Sequence, residues 1–201
     1  MKIFFILIAL ALPLGCENSK RSPAPKIEQI SLPEEPRSFS SPDGSVILRI
    51  VPGENREPSA SLHSLSSGNF ARVAEFDLVQ KRIPVVAVVN NSGTRLATFD
   101  QWHEMGAKQN VIVIYNGAGQ LLKSFGFDDV MRPIRGLDRG SFRMIGKSTI
   151  WRSDAIFVPG SDRFVRILVT PRTSENQWLF LDIEDLRLLS HEEYLRIVND
   201  N

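Results

Sequence analysis

One short stretch of the chain, "TFDQWHEMGAKQN" at 98–110, concentrates residue types that can do chemistry. Asp100, His103 and Glu104 supply two carboxylates and an imidazole close together along the chain. A histidine with two carboxylates can hold Zn²⁺ or a harder cation, and an aspartate can orient a histidine that acts as a general base. One hypothesis is therefore a small metal-dependent or hydrolytic enzyme.

The rest of the sequence gives this stretch little catalytic support. It contains no HExxH motif, and the other histidines, His63 and His191, belong to a different hairpin and to a helix start. The chain has a single cysteine, and no nucleophile with a defined partner is visible. The simpler interpretation is a structured loop. In that loop Asp100 accepts backbone N–H bonds, the Trp102 ring packs over the hairpin and Gly106 adopts a left-handed conformation.

The same stretch has a second interpretation, as part of a binding surface. Trp151 and Arg152 in "STIWRSDAIF" could flank the surface of Trp102, and aromatic residues with arginine are typical of protein interfaces. Core packing and a surface ion pair explain Trp151 and Arg152 as well or better. The sequence predicts no catalytic residue and no metal ligand. The candidate binding surface consists of Asp100, Trp102, His103, Glu104, Trp151 and Arg152.

The elements that must position this loop are mostly β-strands. The continuous apolar runs "PVVAVV" (84–89) and "VIVIY" (111–115) predict strands that are buried on both faces. "RFVRILV" (163–169) alternates between two faces, and "SVILRIV" (45–51) predicts a further strand. The loop at 100–110 then connects two strands of one hairpin. Turn signals separate the strands at Asp43-Gly44, Ser67-Gly68, Ser92-Gly93, Ala118-Gly119 and Gly160-Ser161-Asp162.

Three similar units follow one another along the chain, and each combines a turn, a strand, a loop and a further hairpin. An insertion at 131–147 interrupts this period. One helix is indicated after Ser190, which has capping-box spacing to Glu193. We therefore expect a mainly β fold of antiparallel hairpins in three blade-like repeats, with a short C-terminal helix. The repeats could form a partial propeller, an open stack of twisted sheets or a β-sandwich.

The N-terminus predicts the compartment. Lys2 and the apolar run from Ile3 to Leu12 form a signal-peptide core that is too short to span a bilayer as a permanent helix. Gly15 then precedes Cys16, the single cysteine of the chain, which has no intramolecular disulfide partner in an oxidising envelope. Lipidation would give Cys16 a use and would anchor the protein to a membrane.

The residues after Cys16, "ENSKRSPAPKIEQISLPEEPR", are rich in proline and charge and predict a semi-extended tether. We expect a signal peptide at 1–15, the lipidated cysteine and tether at 16–38, and one β-rich domain at 39–201. Removal of 1–15 removes one lysine and leaves 23 basic side chains (24 − 1) against 23 acidic ones. This neutral balance gives no reason to expect nucleic acid as a partner.

The "LPLGC" ending resembles the lipobox of bacterial lipoproteins, and the resemblance implies fatty acyl groups such as palmitate on Cys16. The inner-membrane retention signal of enterobacterial lipoproteins is typically Asp after the cysteine. Glu17 stands there in this chain, which favours the periplasmic face of the outer membrane over the cytoplasmic membrane.

"FSSPDGSVILRIV" followed by "LHSLSSGNF" resembles the blades of TolB-type and WD40-like β-propeller repeats. The "FD-x-W-H" stretch in the second unit is similar to a loop of uncharacterised bacterial envelope proteins. This resemblance covers roughly 39–190; it implies a blade-like architecture and no known activity.

The sequence thus predicts a lipid-anchored cell-envelope protein whose β domain binds a protein partner or an envelope component without catalysis. The alternative is the small enzyme centred on 100–104. We expect no cofactor, and membrane contact through the N-terminal lipid. The oligomeric state is left open, including assembly of several chains into a larger ring.

Overall fold

The computed structural model describes residues 34–54 and 56–200, and it builds them mostly from antiparallel β-strands. Three sheets of four strands follow one another along the chain, and within each sheet the strands pair in chain order. We call these sheets blades 1, 2 and 3. Blade 1 consists of β1 (Arg37–Ser40), β2 (Val46–Val51), β3 (Ser59–Ser66) and β4 (Asn69–Asp77). Blade 2 consists of β5 (Val86–Val89), β6 (Arg95–Phe99), β7 (Ile112–Asn116) and β8 (Leu121–Phe125).

The insertion between blades 2 and 3 has secondary structure of its own. It contains α1 (Phe127–Met131), a one-turn 3₁₀ helix (Arg139–Ser141) and a separate two-stranded hairpin. The strands of that hairpin are β9 (Arg143–Ile145) and β10 (Ser148–Ile150). Blade 3 and the C-terminal helix follow as β11 (Arg152–Phe157), β12 (Phe164–Val169), β13 (Gln177–Asp182), β14 (Arg187–Ser190) and α2 (His191–Asn199).

This architecture confirms the predicted fold class of three blade-like antiparallel repeats with a short C-terminal helix. The helix begins where the capping box placed it, because the Ser190 N donates to Glu193 Oε2 at 2.7 Å. Strand β1 begins at Arg37, so regular structure starts two residues before the expected domain boundary at 39. The predicted signal peptide, Cys16 and most of the predicted tether lie outside the described residues.

Blade 2 lies between the other two blades, which explains its continuous apolar strands. In β7, Ile112 and Ile114 contribute to the core shared with blade 3, while Val113 and Tyr115 contribute to the core shared with blade 1. All four side chains are buried. A strand that is covered on both faces has no polar side in its sequence, so the prediction for 111–115 is confirmed.

The first strands of the blades are neighbours, because β5 lies beside both β1 and β11. Their turns are joined at one end by hydrogen bonds: Asp43 N donates to Asn91 Oδ1 at 3.1 Å, and Asn91 N donates to Asp162 Oδ1 at 2.6 Å. This arrangement, with β1, β5 and β11 innermost and the sheets stacked face to face, is that of consecutive propeller blades.

Since successive strands run in opposite directions, all connections fall at two ends of the domain. One end, which we call the turn end, carries the tight turns within blades, and positive φ angles occur there at Gly44, Gly68, Gly93, Gly119 and Gly160. The other end, which we call the loop end, carries the longer connections. These span 52–58, 78–85, 100–111, 126–151 and 170–176.

The two outer faces of the stack differ in how they meet solvent. The outer face of blade 3 carries Phe164, Phe180 and Leu189, and α2 covers this cluster with Tyr194 and Ile197. The outer face of blade 1 is mostly polar. Its side chains include Ser38, Ser40, Arg49, Ser59, Ser61, His63, Arg72, Glu75 and Asp77. Polar outer faces are typical of the terminal units of repeat proteins. Among the described residues, no strand pairing joins blade 3 to blade 1.

Candidate functional site

Asp100, the first residue of the chemically rich loop, is bound on every side by structural partners. Its side chain is buried, with 1% of the residue exposed. Oδ1 accepts hydrogen bonds from the Gly106 backbone N–H at 2.7 Å and from the Trp151 indole Nε1–H at 2.8 Å. Oδ2 accepts a hydrogen bond from Arg152 Nε at 2.9 Å. The predicted role of Asp100 as an acceptor for backbone N–H groups is thus confirmed.

Arg152 completes a buried ion pair with Asp100. Its Nη2 lies 2.9 Å from Asp100 Oδ2, and both side chains are almost fully excluded from solvent. Nη2 forms no well-aligned hydrogen bond within the described chain, so Coulomb attraction compensates its burial. The guanidinium carbon also lies 5.5 Å from the centre of the Phe99 ring and 5.6 Å from that of the Trp151 ring, within the range of cation–π contacts.

This network joins blade 2 to blade 3, since Asp100 follows β6, Trp151 directly precedes β11 and Arg152 is the first residue of β11. It also corrects the expected surface. We predicted Asp100, Trp151 and Arg152 as members of a binding surface, but all three are buried at 0–3% exposure. Aromatic and charged residues were ambiguous in the sequence because a buried ion pair and an interface use the same residue types.

The loop backbone is held in an unusual shape. Positive φ angles occur at Asp100 (55°), His103 (67°), Gly106 (62°) and Asn110 (56°). The left-handed conformation predicted for Gly106 is therefore confirmed. A Cβ on Gly106 would lie 2.9 Å from Thr149 Cβ, so glycine is needed there for space as well as for φ. Such strain persists only where neighbouring structure fixes the backbone.

The enzyme alternative required Asp100, His103 and Glu104 to converge, and their side chains diverge. Asp100 points into the interior. His103 is exposed, and its ring meets the Trp102 ring edge-on at 5.6 Å between centres. Glu104 Oε2 accepts a hydrogen bond from Gln101 Nε2 at 3.1 Å. Within residues 34–54 and 56–200, no three His, Cys, Asp or Glu side chains are grouped closely enough to hold a metal ion.

Trp102 lies in an open cleft at the loop end. Its ring is half-buried against the core between blades 1 and 2, and its backbone N–H donates to the Ile83 carbonyl at 2.9 Å. The Arg37 guanidinium carbon is 5.8 Å from the centre of the Trp102 ring and 5.6 Å from that of Phe39. The cleft has a volume of about 440 Å³, and its lining consists of Glu35, Pro36, Arg37, Ser38, Phe39, Ile83 and Trp102.

The cleft is fixed from below by contacts between chain segments. Arg37 Nη1 donates to the Val85 carbonyl. Glu34 accepts from Arg82 Nη1 at 2.8 Å and from the Ile83 backbone N–H at 3.2 Å. The segment through which the chain enters the domain is therefore attached to the connection between blades 1 and 2 and to Trp102. A rigid cleft loses little entropy when a ligand binds.

Arg37 and Phe39 were absent from the candidate residues in the sequence. Arg37 fell within the expected tether, and Phe39 marked only the start of the domain. The alternation Arg37-x-Phe39 ahead of the first turn is the one local signal that places both side chains on the same face of a strand. Their proximity to Trp102 depends on the pairing of distant segments, which a single sequence does not reveal.

The chain was also compared with known proteins. No protein-family model matches it, and no curated protein matches it. Among solved structures it is similar to the crystal structure of TolB from Acinetobacter baumannii, with 16% sequence identity and a TM-score of 0.38. The match covers 76% of this chain and 31% of that chain, so the chain spans less than a third of that structure's length. The blade architecture rests on the pairing of the three sheets themselves.

Proposed function

We propose that the protein is a lipid-anchored component of the bacterial cell envelope whose three-blade domain binds a protein partner or an envelope component without catalysis. The observation that carries the proposal is the open cleft of Arg37, Phe39 and Trp102 at the loop end. Tryptophan and arginine are the residue types that most often dominate binding energy at interfaces. The carboxylate that could have served catalysis, Asp100, is engaged in the interior.

The position of the cleft supports this proposal. Longer connections at one end of a rigid β scaffold commonly carry binding residues, while the scaffold holds them in place. Here five longer connections share the loop end with the cleft. Trp102 presents part of a large ring to solvent, and Arg37 covers it with a guanidinium that can also bond to a partner.

The lipid anchor rests on the N-terminal sequence. Cys16 follows a signal-peptide core, and the acyl groups implied by the lipobox resemblance would retain the protein stably at a membrane. Glu17 favours the periplasmic face of the outer membrane. Among the described residues, no helix is long and apolar enough to cross a bilayer.

Site-specific photocrosslinking in intact cells tests the binding role. A photoreactive residue in place of Glu35, which is exposed and lines the cleft, should give a discrete crosslinked product. The matched position is Asn69, which is exposed at the turn end and should give none. Trp102→Ala should reduce the product from position 35 by at least about tenfold, as for the loss of a binding hot spot.

Three results would contradict the proposal: equal products from positions 35 and 69, no product from position 35, or a product that Trp102→Ala leaves unchanged in a folded protein.

The anchor has a separate test. Cys16→Ser should abolish metabolic labelling with palmitate and release the protein from the membrane fraction. Retained labelling would rule out Cys16 as the lipidated residue.

A further inference from the structure

The β9–β10 hairpin is the most exposed apolar feature of the loop end. Met144 is 50% exposed and Ile145 is 43% exposed, although both are large hydrophobic residues. The hairpin pairs with no other strand in the described chain, and its residues 143–147 are exposed, whereas Thr149 of β10 is buried. Arg143 and Lys147 flank the two apolar residues and are also exposed. Exposed apolar residues between two cations, directly before the turn at Gly146 and Lys147, have the composition of a segment that binds at a lipid–water interface.

The hairpin is held firmly against the loop that carries Trp102. The Thr149 backbone N–H donates to the Met105 carbonyl at 2.8 Å, and Met105 N donates to Ser148 Oγ at 3.2 Å. Arg139 Nη1 adds bonds to the Gly106 carbonyl at 2.8 Å and to Thr149 Oγ1 at 2.9 Å. Because β10 is bonded to the loop in this way and β9 pairs with β10, the hairpin has a defined position at the loop end.

The cleft between this hairpin and the loop is lined by more cations than anions. Its charged lining residues are the cations Lys108, Arg139 and Lys147 and the anions Glu104 and Asp128. The volume of this cleft is about 450 Å³. The excess of positive over negative side chains in this cleft is small, but the exposed Lys108 and Lys147 extend the positive charge of the hairpin along the surface. A negatively charged surface is the complementary partner for such an arrangement.

The chain leaves the domain toward its N-terminus at the same end. Glu34 is the first described residue, and it is bonded to Arg82 and Ile83 in the connection between blades 1 and 2. Glu34 stands 18 positions after Cys16. A segment of this length in an extended polyproline II geometry, at about 3.1 Å per residue, would reach at most roughly 55 Å. A lipid on Cys16 would therefore attach the domain to the bilayer from the side of the loop end, within at most that distance.

We propose that the β9–β10 hairpin docks the loop end on an anionic lipid surface, with Met144 and Ile145 in the headgroup layer and Arg143 and Lys147 on lipid phosphates. The orientation of the domain toward its own membrane rests on the lipid anchor of the proposed function. The tether raises the effective concentration of the hairpin at the surface, so a weak contact is sufficient. Docking fixes which way the blades face, whereas the tether alone does not.

Vesicle binding by the unlipidated protein tests this proposal independently of the anchor. The probe is the chain from residue 16 onward with Cys16→Ser, since 32–201 forms a compact unit without the signal peptide. Co-sedimentation is measured with vesicles of phosphatidylethanolamine and phosphatidylglycerol, and with vesicles of phosphatidylcholine alone. We expect binding to the anionic vesicles that weakens with added salt, and at least tenfold weaker binding to the neutral ones.

Two double variants separate the apolar and the charged contributions. Met144→Ser with Ile145→Ser should reduce binding at least tenfold. Arg143→Gln with Lys147→Gln should reduce it about 25-fold, or roughly fivefold for each cation, while the exchange Arg143→Lys with Lys147→Arg should retain binding. All four side chains are exposed, so circular dichroism should show folding unchanged.

A matched control is available on α2. Leu195 and Val198 are 43% and 45% exposed, similar to the hairpin pair, but they lie on the helix that covers the outer face of blade 3. Leu195→Ser with Val198→Ser should leave vesicle binding unchanged.

The proposal is overturned if the chain does not prefer anionic vesicles, if the hairpin variants bind vesicles as the parent does, or if the control variant loses as much vesicle binding as the hairpin variants. If the protein with Cys16 intact takes up no palmitate label while vesicle binding is retained, the anchor is refuted and the docking surface stands.

Discussion

Replacement of Asp100 by asparagine would remove one charge from the interior while keeping the shape of the side chain. Asparagine is also among the residues that tolerate positive φ, and φ at position 100 is 55°. The change leaves the guanidinium of Arg152, 3% exposed, without its counter-ion. It also weakens the bonds that Asp100 accepts from Gly106 and Trp151.

The expected cost follows from burial of an unpaired charge. Removal of one partner of a buried ion pair costs about 3–5 kcal/mol of the free energy of unfolding. For a domain of this size, each kcal/mol lowers Tm by roughly 2–4 °C. We therefore expect Asp100→Asn to lower Tm by roughly 6–20 °C. Glu104→Gln, a neighbouring carboxylate with partial exposure, should change the free energy of unfolding by no more than about 0.5 kcal/mol.

Urea unfolding followed by circular dichroism measures both variants, and a double variant identifies the cause. If the unpaired charge is responsible, Arg152→Met added to Asp100→Asn should recover part of the lost stability. The two substitutions should then deviate from additivity by at least about 1 kcal/mol. Additive effects, or a loss for Asp100→Asn below about 1 kcal/mol, would refute the structural role of the buried pair.

Three further substitutions or titrations test other parts of the structure. Gly106→Ala should lower the stability more than Gly136→Ala in thermal unfolding. Both glycines have positive φ, but only at 106 would an added Cβ lie 2.9 Å from a carbon of β10. Equal losses of stability would exclude the steric contact. Burial raises the pKa of Tyr115 to about 12, so the stability from its neutral phenol is present below pH 10 and lost as pH rises toward 12. Ultraviolet titration should show that one of the chain's two tyrosines ionises only at high pH, and Tyr115→Phe should remove that titration step. Burial alone would raise the pKa of Asp182, but the hydrogen bond and charge of Arg163, together with hydrogen bonds from the Asp185 and Glu184 backbone N–H groups, outweigh it and hold the pKa below its ordinary value. The ionised carboxylate therefore stabilises the fold above about pH 4, and this stabilisation is lost at lower pH. Below about pH 4, the Tm of Asp182→Asn should therefore depend less on pH than the Tm of the parent protein.

The strands of the three blades were predictable because their environment leaves a pattern in the sequence. Blade 2 is covered on both faces, so 111–115 is apolar throughout, whereas Phe164 and Val165 alternate between two different cores. The insertion was harder to predict. Helix α1 has only five residues and is stabilised by burial of Phe127 and Val130, which a local pattern of this length does not show.

The loop at 100–110 was partly predictable, and the limit is one of sequence distance. The roles of Asp100 and Gly106 follow from local turn chemistry, and the structure confirms them. The partners Trp151 and Arg152 are 51 and 52 residues away from Asp100, so only the stacking of blade 3 on blade 2 brings them together. Arg37 reaches Trp102 through a still more distant pairing of segments.

Oxidative footprinting of the tryptophans tests most directly whether the Trp102 cleft binds a partner. The chain has three tryptophans, and two of them serve as internal controls. Trp178 is 37% exposed away from the cleft, and Trp151 is fully buried. Hydroxyl-radical oxidation is compared between the lipidated protein in native envelope membranes and the same protein on protein-free lipid vesicles. Since lipid is present in both samples, docking on the bilayer does not account for a difference.

We expect Trp102 oxidation to fall several-fold in the native envelope, because a bound partner covers the half-exposed ring. Trp178 should react equally in both samples, and Trp151 should stay unreactive. Equal oxidation of Trp102 in native membranes and in vesicles would contradict the assignment of this cleft as the binding site.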